Sequence, residues 1–81
     1  MYKNKNKDGT FNLCGKKVKA LRQAMTPAVS QRMLADQLQL NGIDVDKNAI
    51  QKIESGRRFV TDIELLALAK VFHISTDELL N

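Results

Sequence analysis

The chain has 81 residues, with 13 Lys plus Arg against nine Asp plus Glu and a formal net charge of +4 at pH 7. That length holds one small domain and leaves too little buried surface for a second, or for the deep irregular cavity in which a self-contained enzyme builds its site. Apolar residues make up 43% and charged residues 27%, and strand formers such as Val, Thr and Tyr are sparse, so an all-α globular domain is expected.

Residues 1–11 carry Lys3, Lys5 and Lys7 among asparagines without apolar periodicity, and read as a disordered basic tail ahead of a folded domain at 12–81. Cys14, Val18, Leu21 and Met25 then recur at steps of four, three and four, one stripe of an amphipathic helix with Lys16, Lys17 and Lys19 on its wet side. Met25-Thr26-Pro27 closes it, because the residue before a proline is pushed out of the helical region. Ser30 is a suitable N-cap for a second helix whose buried face is Met33, Leu34 and Leu38, with Gly42 as its left-handed stop. Ile43 and Val45 are expected to tuck inward along the connection that follows. Asp46 caps a third helix, KNAIQKIES, ended by Gly56. Thr61 and Glu64 match a capping box, and the helix they open runs to about Phe72, apolar over most of its circumference and so expected at the centre of the core. Ser75 to Glu78 repeats the capping pattern ahead of a short fifth helix, 76–80.

The third helix carries the chemistry. At about 100° per residue, Lys47, Asn48, Gln51, Lys52 and Ser55 fall within an arc of roughly 140°, with Ala49, Ile50 and Ile53 opposite. Lys reaches guanine acceptors, and Asn or Gln pairs in both directions with adenine, in a major groove wide enough for a helix. By themselves, however, four or five polar side chains describe any solvated helix face.

The order of residues around that arc is more specific. Ser30-Gln31 with Leu34-Ala35, then Ile50, Ile53-Glu54-Ser55-Gly56-Arg57, Leu65 to Lys70 and Ile74 to Leu80 follow one another in a pattern that resembles the Cro/XRE-type, lambda-repressor-like helix-turn-helix family; Val18 and Leu21-Arg22 fit its first helix. The resemblance implies a compact five-helix DNA-binding domain with the helix-turn-helix at helices two and three. It makes Lys47, Asn48 and Lys52 base-reading residues, with Gln51 a further candidate. It places Ser30 and Gln31, at the start of helix two, and Ser55, Arg57 and Arg58, at and after the end of helix three, on the phosphate backbone. It also implies a partly buried ion pair between Arg22 and Glu54 that orients the recognition helix. The chain departs from the family in the stretch Asp36 to Ala49, which is longer than usual and implies a longer second helix, an extended connection, or both. The link from Ala24 to Val29 is also long, and Val60-Thr61-Asp62 lacks the proline often found before helix four.

No Ser/His/Asp group, glycine-rich phosphate loop or pair of carboxylates in an apolar setting can be assembled, so no enzyme is expected. A single cysteine excludes an intrachain disulfide, and Cys14 with His73 falls short of a zinc ligand set, so neither metal nor cofactor is expected. Cys14 reads as a small buried hydrophobe and His73 as a surface residue in a loop. The longest apolar run, Leu65 to Ala69, is far too short to span a bilayer, and the polar start is no secretory signal; a cytoplasmic, nucleoid-associated setting is expected. The expected function is sequence-specific double-stranded-DNA binding by a transcriptional regulator, most simply a repressor that occludes a promoter. The expected partners are DNA and a second copy, with homodimer contacts through Leu79 and Leu80 of the C-terminal helix unless these complete the monomer core. The alternative is a protein-interaction or antitoxin-type module that uses the same helices.

Overall fold

The computed structural model describes residues 5–81, which form five helices: α1 Gly15–Ala24, α2 Gln31–Leu40, α3 Lys47–Glu54, α4 Asp62–Phe72 and α5 Thr76–Leu80. There is no strand among the described residues. Four of the helices begin where a polar side chain closes on an amide that the helix itself leaves without a partner. Ser30 accepts from the amide of Met33, Asp46 from Ala49, Thr61 from Glu64 and Ser75 from Glu78, and at α4 the Glu64 carboxylate returns to the Thr61 amide to complete the capping box. Helix α1 starts differently. Its N-cap, Cys14, makes no side-chain bond, and Asn12 Oδ1 accepts from the amide of Gly15 at 2.7 Å instead.

Helix α2 stops at Gly42, whose φ of +81° lies in the left-handed region that glycine enters without Cβ strain. The amides of Asn41 and Ile43 return to Leu38 O and that of Gly42 to Gln39 O. Because α2 has ten residues, the extra length of the chain lies in the connection 41–46, longer than the usual helix-turn-helix link of about 3–4 residues. It is held by Ile43 and Val45, both buried, and by Gln39 Nε2 donating to Val45 O at 2.8 Å.

The core is one cluster in which Val18, Leu34, Leu38, Ile50, Ile53, Leu68 and Leu79 are almost fully enclosed. Helix α3 packs on α1 and α2, while α4 packs on α1, α2 and α5. Cys14 lies in this core, where burial pushes its thiol above its ordinary pKa.

Two expectations are corrected by this packing, and a third, left open, is decided. Met33 is half exposed, because α2 turns Leu34, Ala35 and Leu38 inward and Met33 falls outside that arc. Ile63 and Leu66 leave α4 with an exposed apolar side that a fully central helix would lack. Leu79 is completely buried in the monomer and has no surface to offer a second copy. Ahead of α1, Asn6 N donates to Thr10 O within its own segment, while Phe11 meets the domain: its N donates to Gly56 O at 2.8 Å and its ring meets that of Phe59 edge-on at 4.9 Å. Lys5 sits over the Phe11 ring, Lys7 is exposed, and Lys3 lies outside the described residues.

Candidate nucleic-acid interface

Helix α3 has two chemically opposite sides. Ile50 and Ile53 are 0% and 1% exposed, whereas Lys47, Asn48, Gln51 and Lys52 all lie open to solvent. The apolar pair fixes the helix to α1 and α2, and the amide and ammonium groups are thereby held outward on a rigid element. Just past the helix, Ser55 donates its hydroxyl to Lys52 O and accepts from Arg57 Nε at 2.9 Å, which holds the guanidinium end of the exposed Arg57 side chain and leaves its two terminal nitrogens free among the described residues. Asn48, Lys52 and Arg57 line one open depression together with Phe59. Lys47, at the α2 edge of the same open side, borders a second depression that it shares with Arg32 and Gln39 of α2.

The angle of α3 is set by a charged joint. Arg22 of α1 grips Glu54 with two parallel bonds, Nε to Oε2 at 2.7 Å and Nη2 to Oε1 at 2.9 Å, and its third nitrogen donates to Val29 O at 2.9 Å. The bond to Glu54 raises the already high guanidinium pKa, against the opposing effect of burial. Gln31 of α2 adds a bond from Nε2 to Glu54 Oε1 at 3.1 Å. One carboxylate therefore ties α1 and α2, and through Arg22 the link between them, to the end of α3. The side chains of Arg22 and Glu54 are only 11% and 4% exposed, so the joint is shielded from competing water.

Two residues assigned to the phosphate backbone have other work in the structure. Arg58 is bound through both ends of its fork to Glu64, at 2.9 Å each, and also donates to Phe59 O. Its partner's carboxyl lies below the ordinary range, chiefly because Arg58 donates to it and further because the Thr61 amide does. The Gln31 side chain gives one of its two amide protons to Glu54, and the residue stands at the start of α2, next to Ser30. Ser30 caps α2 by accepting, so its hydroxyl proton remains free to donate.

Sequence reasoning passed over a second latch at the same, C-terminal end of α3. Asn12 Nδ2 donates to both Ile53 O, at 3.1 Å, and Arg58 O, at 2.8 Å, while its Oδ1 holds the α1 terminus. Gly15 packs so closely there that a Cβ would run into Ile53 O, so only glycine lets α1 approach the end of α3. The local signal was an Asn three residues before a helix start, but its two distant acceptors lie more than 40 residues away. Arg32, exposed in the first turn of α2, was passed over as well.

A family model described as Helix-turn-helix matches residues 18–79, from the middle of α1 to α5. The chain belongs to the Cro/XRE-type helix-turn-helix family. Its five helices make a lambda-repressor-like fold, and as a helix-turn-helix protein of this type it is a DNA-binding regulator. No curated protein and no solved structure matches it. None of its helices among the described residues is long and apolar enough to cross a membrane.

Proposed function

We propose that this helix-turn-helix protein is a sequence-specific double-stranded-DNA-binding repressor that lays α3, about residues 47–55, in the major groove and occludes a promoter. The observation that carries the reading is the division of α3 into an isoleucine side locked in the core and an open side of Lys47, Asn48, Gln51 and Lys52. These four groups meet base edges; Lys offers donors to guanine, and the two amides offer a donor and an acceptor to adenine. Ser30, the amide end of α2 at Gln31, Ser55 and Arg57 hold the sugar-phosphate backbone and set the register. Two copies on inverted half-sites supply the specificity that a single helix lacks, and the setting is the cytoplasm, at the nucleoid.

Selection of bound duplexes from a random pool tests this directly. An enriched palindrome is expected, and Lys47→Ala and Asn48→Ala should each change the preferred bases and cost about 1–3 kcal/mol at the affected position. Arg57→Ala should weaken all sequences alike and flatten the slope of log K against log salt by about one. An unchanged enriched sequence and affinity in both α3 variants would refute the reading face. Binding that is insensitive to salt and directed at a protein would favour the antitoxin-type module instead.

A further inference from the structure

Asp62, Ile63, Leu66 and Lys70 are the exposed residues of α4, and every other residue of that helix is buried or half-buried. At about 100° per residue the four fall within an arc of roughly 100°, so they form one stripe. Ile63 is 67% and Leu66 52% exposed, large aliphatic groups left in water beside a shallow depression lined by Asn41, Ile43 and Ala67. Among the described residues, neither Asp62 nor Lys70 takes part in an ion pair.

The order of these groups says what covers them. The negative charge stands four residues before Leu66 and the positive charge four residues after it, about 6 Å along the helix in each direction. A two-fold rotation through Leu66 sets Leu66 against its own copy, Asp62 against Lys70 of the second copy, and Lys70 against its Asp62. A parallel partner would place like charges side by side. Self-complementarity under a two-fold axis is the mark of an isologous interface, in which each copy offers the same patch. We propose that α4 pairs antiparallel with α4 of a second copy of this chain, centred on Leu66, and that this seam couples two copies on DNA; the inference rests on the DNA-binding role proposed for α3.

Two aliphatic side chains per copy fall well short of the roughly 800 Å² per partner of a standard stable interface. The pairing is therefore weak in free solution and takes hold when two copies occupy neighbouring half-sites, where the effective concentration reaches the millimolar range. The depression beside the stripe is bounded by the connection that leads into α3, so the seam links the orientation of one recognition helix to that of the other. The C-terminal helix offers no comparable surface, since Leu79 is enclosed and Leu80 stands alone.

The test uses the duplex enriched from the random pool, synthesised both as a single half-site and as the inverted pair. Asp62→Lys and Lys70→Asp, each verified as folded by circular dichroism, should keep the half-site affinity within about twofold and lower the affinity for the inverted pair about tenfold or more. An equimolar mixture of the two variants should restore tight binding to the inverted pair, because both facing positions are then of opposite charge. Charge reversals without effect on the pair, or a mixture that restores nothing while half-site binding is intact, overturn the seam. Loss of half-site binding in the unaltered protein would instead strike the DNA reading, and a DNA-free measurement then decides the seam by itself. Leu66→Cys at high protein concentration should be converted to a covalent dimer by a short bis-maleimide, whereas the unaltered chain, whose Cys14 is buried, and a Leu80→Cys control should not. Equal cross-linking of the Leu66 and Leu80 variants, or none in either, refutes the pairing.

Discussion

Two arginine–glutamate pairs of nearly the same geometry sit at opposite ends of the segment that follows α3, and they do different work. Arg22 and Glu54 are 32 residues apart and buried, and they join three helices; Arg58 and Glu64 are six residues apart, with side chains 30% and 14% exposed, and they fold one loop onto the cap of α4. A buried pair is costly to break because the survivor keeps its charge without water, whereas a pair that solvent still partly reaches loses less. Bidentate geometry alone therefore says little about energetic weight. Burial and the number of elements joined decide it.

The difference can be broken by mutation, in order of size. Glu54→Ala should destabilise the fold by about 3–5 kcal/mol in denaturant titration, and its loss of DNA binding should track the unfolded fraction. A change near zero would remove the joint from any role in positioning α3. Asn12→Ala, which strips the partner from Ile53 O near the C-terminus of α3, from Arg58 O in the loop after it and from the Gly15 amide, should cost about 1–3 kcal/mol. Because Asn12 lies outside the reading face, the preferred bases should not change. Glu64→Gln and Arg58→Ala should each cost about 1 kcal/mol, and Arg58→Ala should leave the salt slope of DNA binding intact, unlike Arg57→Ala. A flattened slope in the Arg58 variant would return that residue to the phosphate backbone.

Acid sharpens the same contrast. The Glu64 carboxyl is held below its ordinary value in the folded chain, so the stability it contributes is fully present above the unfolded-state value of about 4.3 and is lost as pH falls below it. Between pH 5.5 and 3, roughly the window in which a depressed carboxyl titrates, Glu64→Gln should therefore lose less stability than the unaltered chain. Parallel curves would contradict this.

Much of the architecture was legible because its signals are local. Ser30, Asp46, Thr61 and Ser75 each stand at a helix start with the bonded amide three residues ahead, and the spacing of Ile50 and Ile53 already turned Lys47, Asn48, Gln51 and Lys52 outward. The family resemblance supplied the pairing of Arg22 with Glu54, which no local rule reaches. The Arg58–Glu64 pair was not legible for the opposite reason: in sequence Arg58 is a second arginine beside Arg57, and only the fold of the 59–61 loop puts Glu64 within its reach. Met33 was misplaced, and Leu79 was left open between the core and a second copy, because an apolar residue near the edge of a stripe can point either way until a neighbouring helix covers it or leaves it open.

What the chain determines by itself is the helix boundaries, the inward side of α3 and the chemistry of its outward side, since these follow from spacing along one helix and from capping within three residues. What only tertiary structure decided is which charges are spent inside and which remain for a partner. Glu54 consumes Arg22 and one amide proton of Gln31, Glu64 consumes Arg58, and Arg57, Lys47, Lys52, Asp62 and Lys70 are left outside. The reason is physical: a charge is neutralised by whatever approaches within hydrogen-bond distance, and that depends on how the helices pack rather than on where the residues stand in the chain.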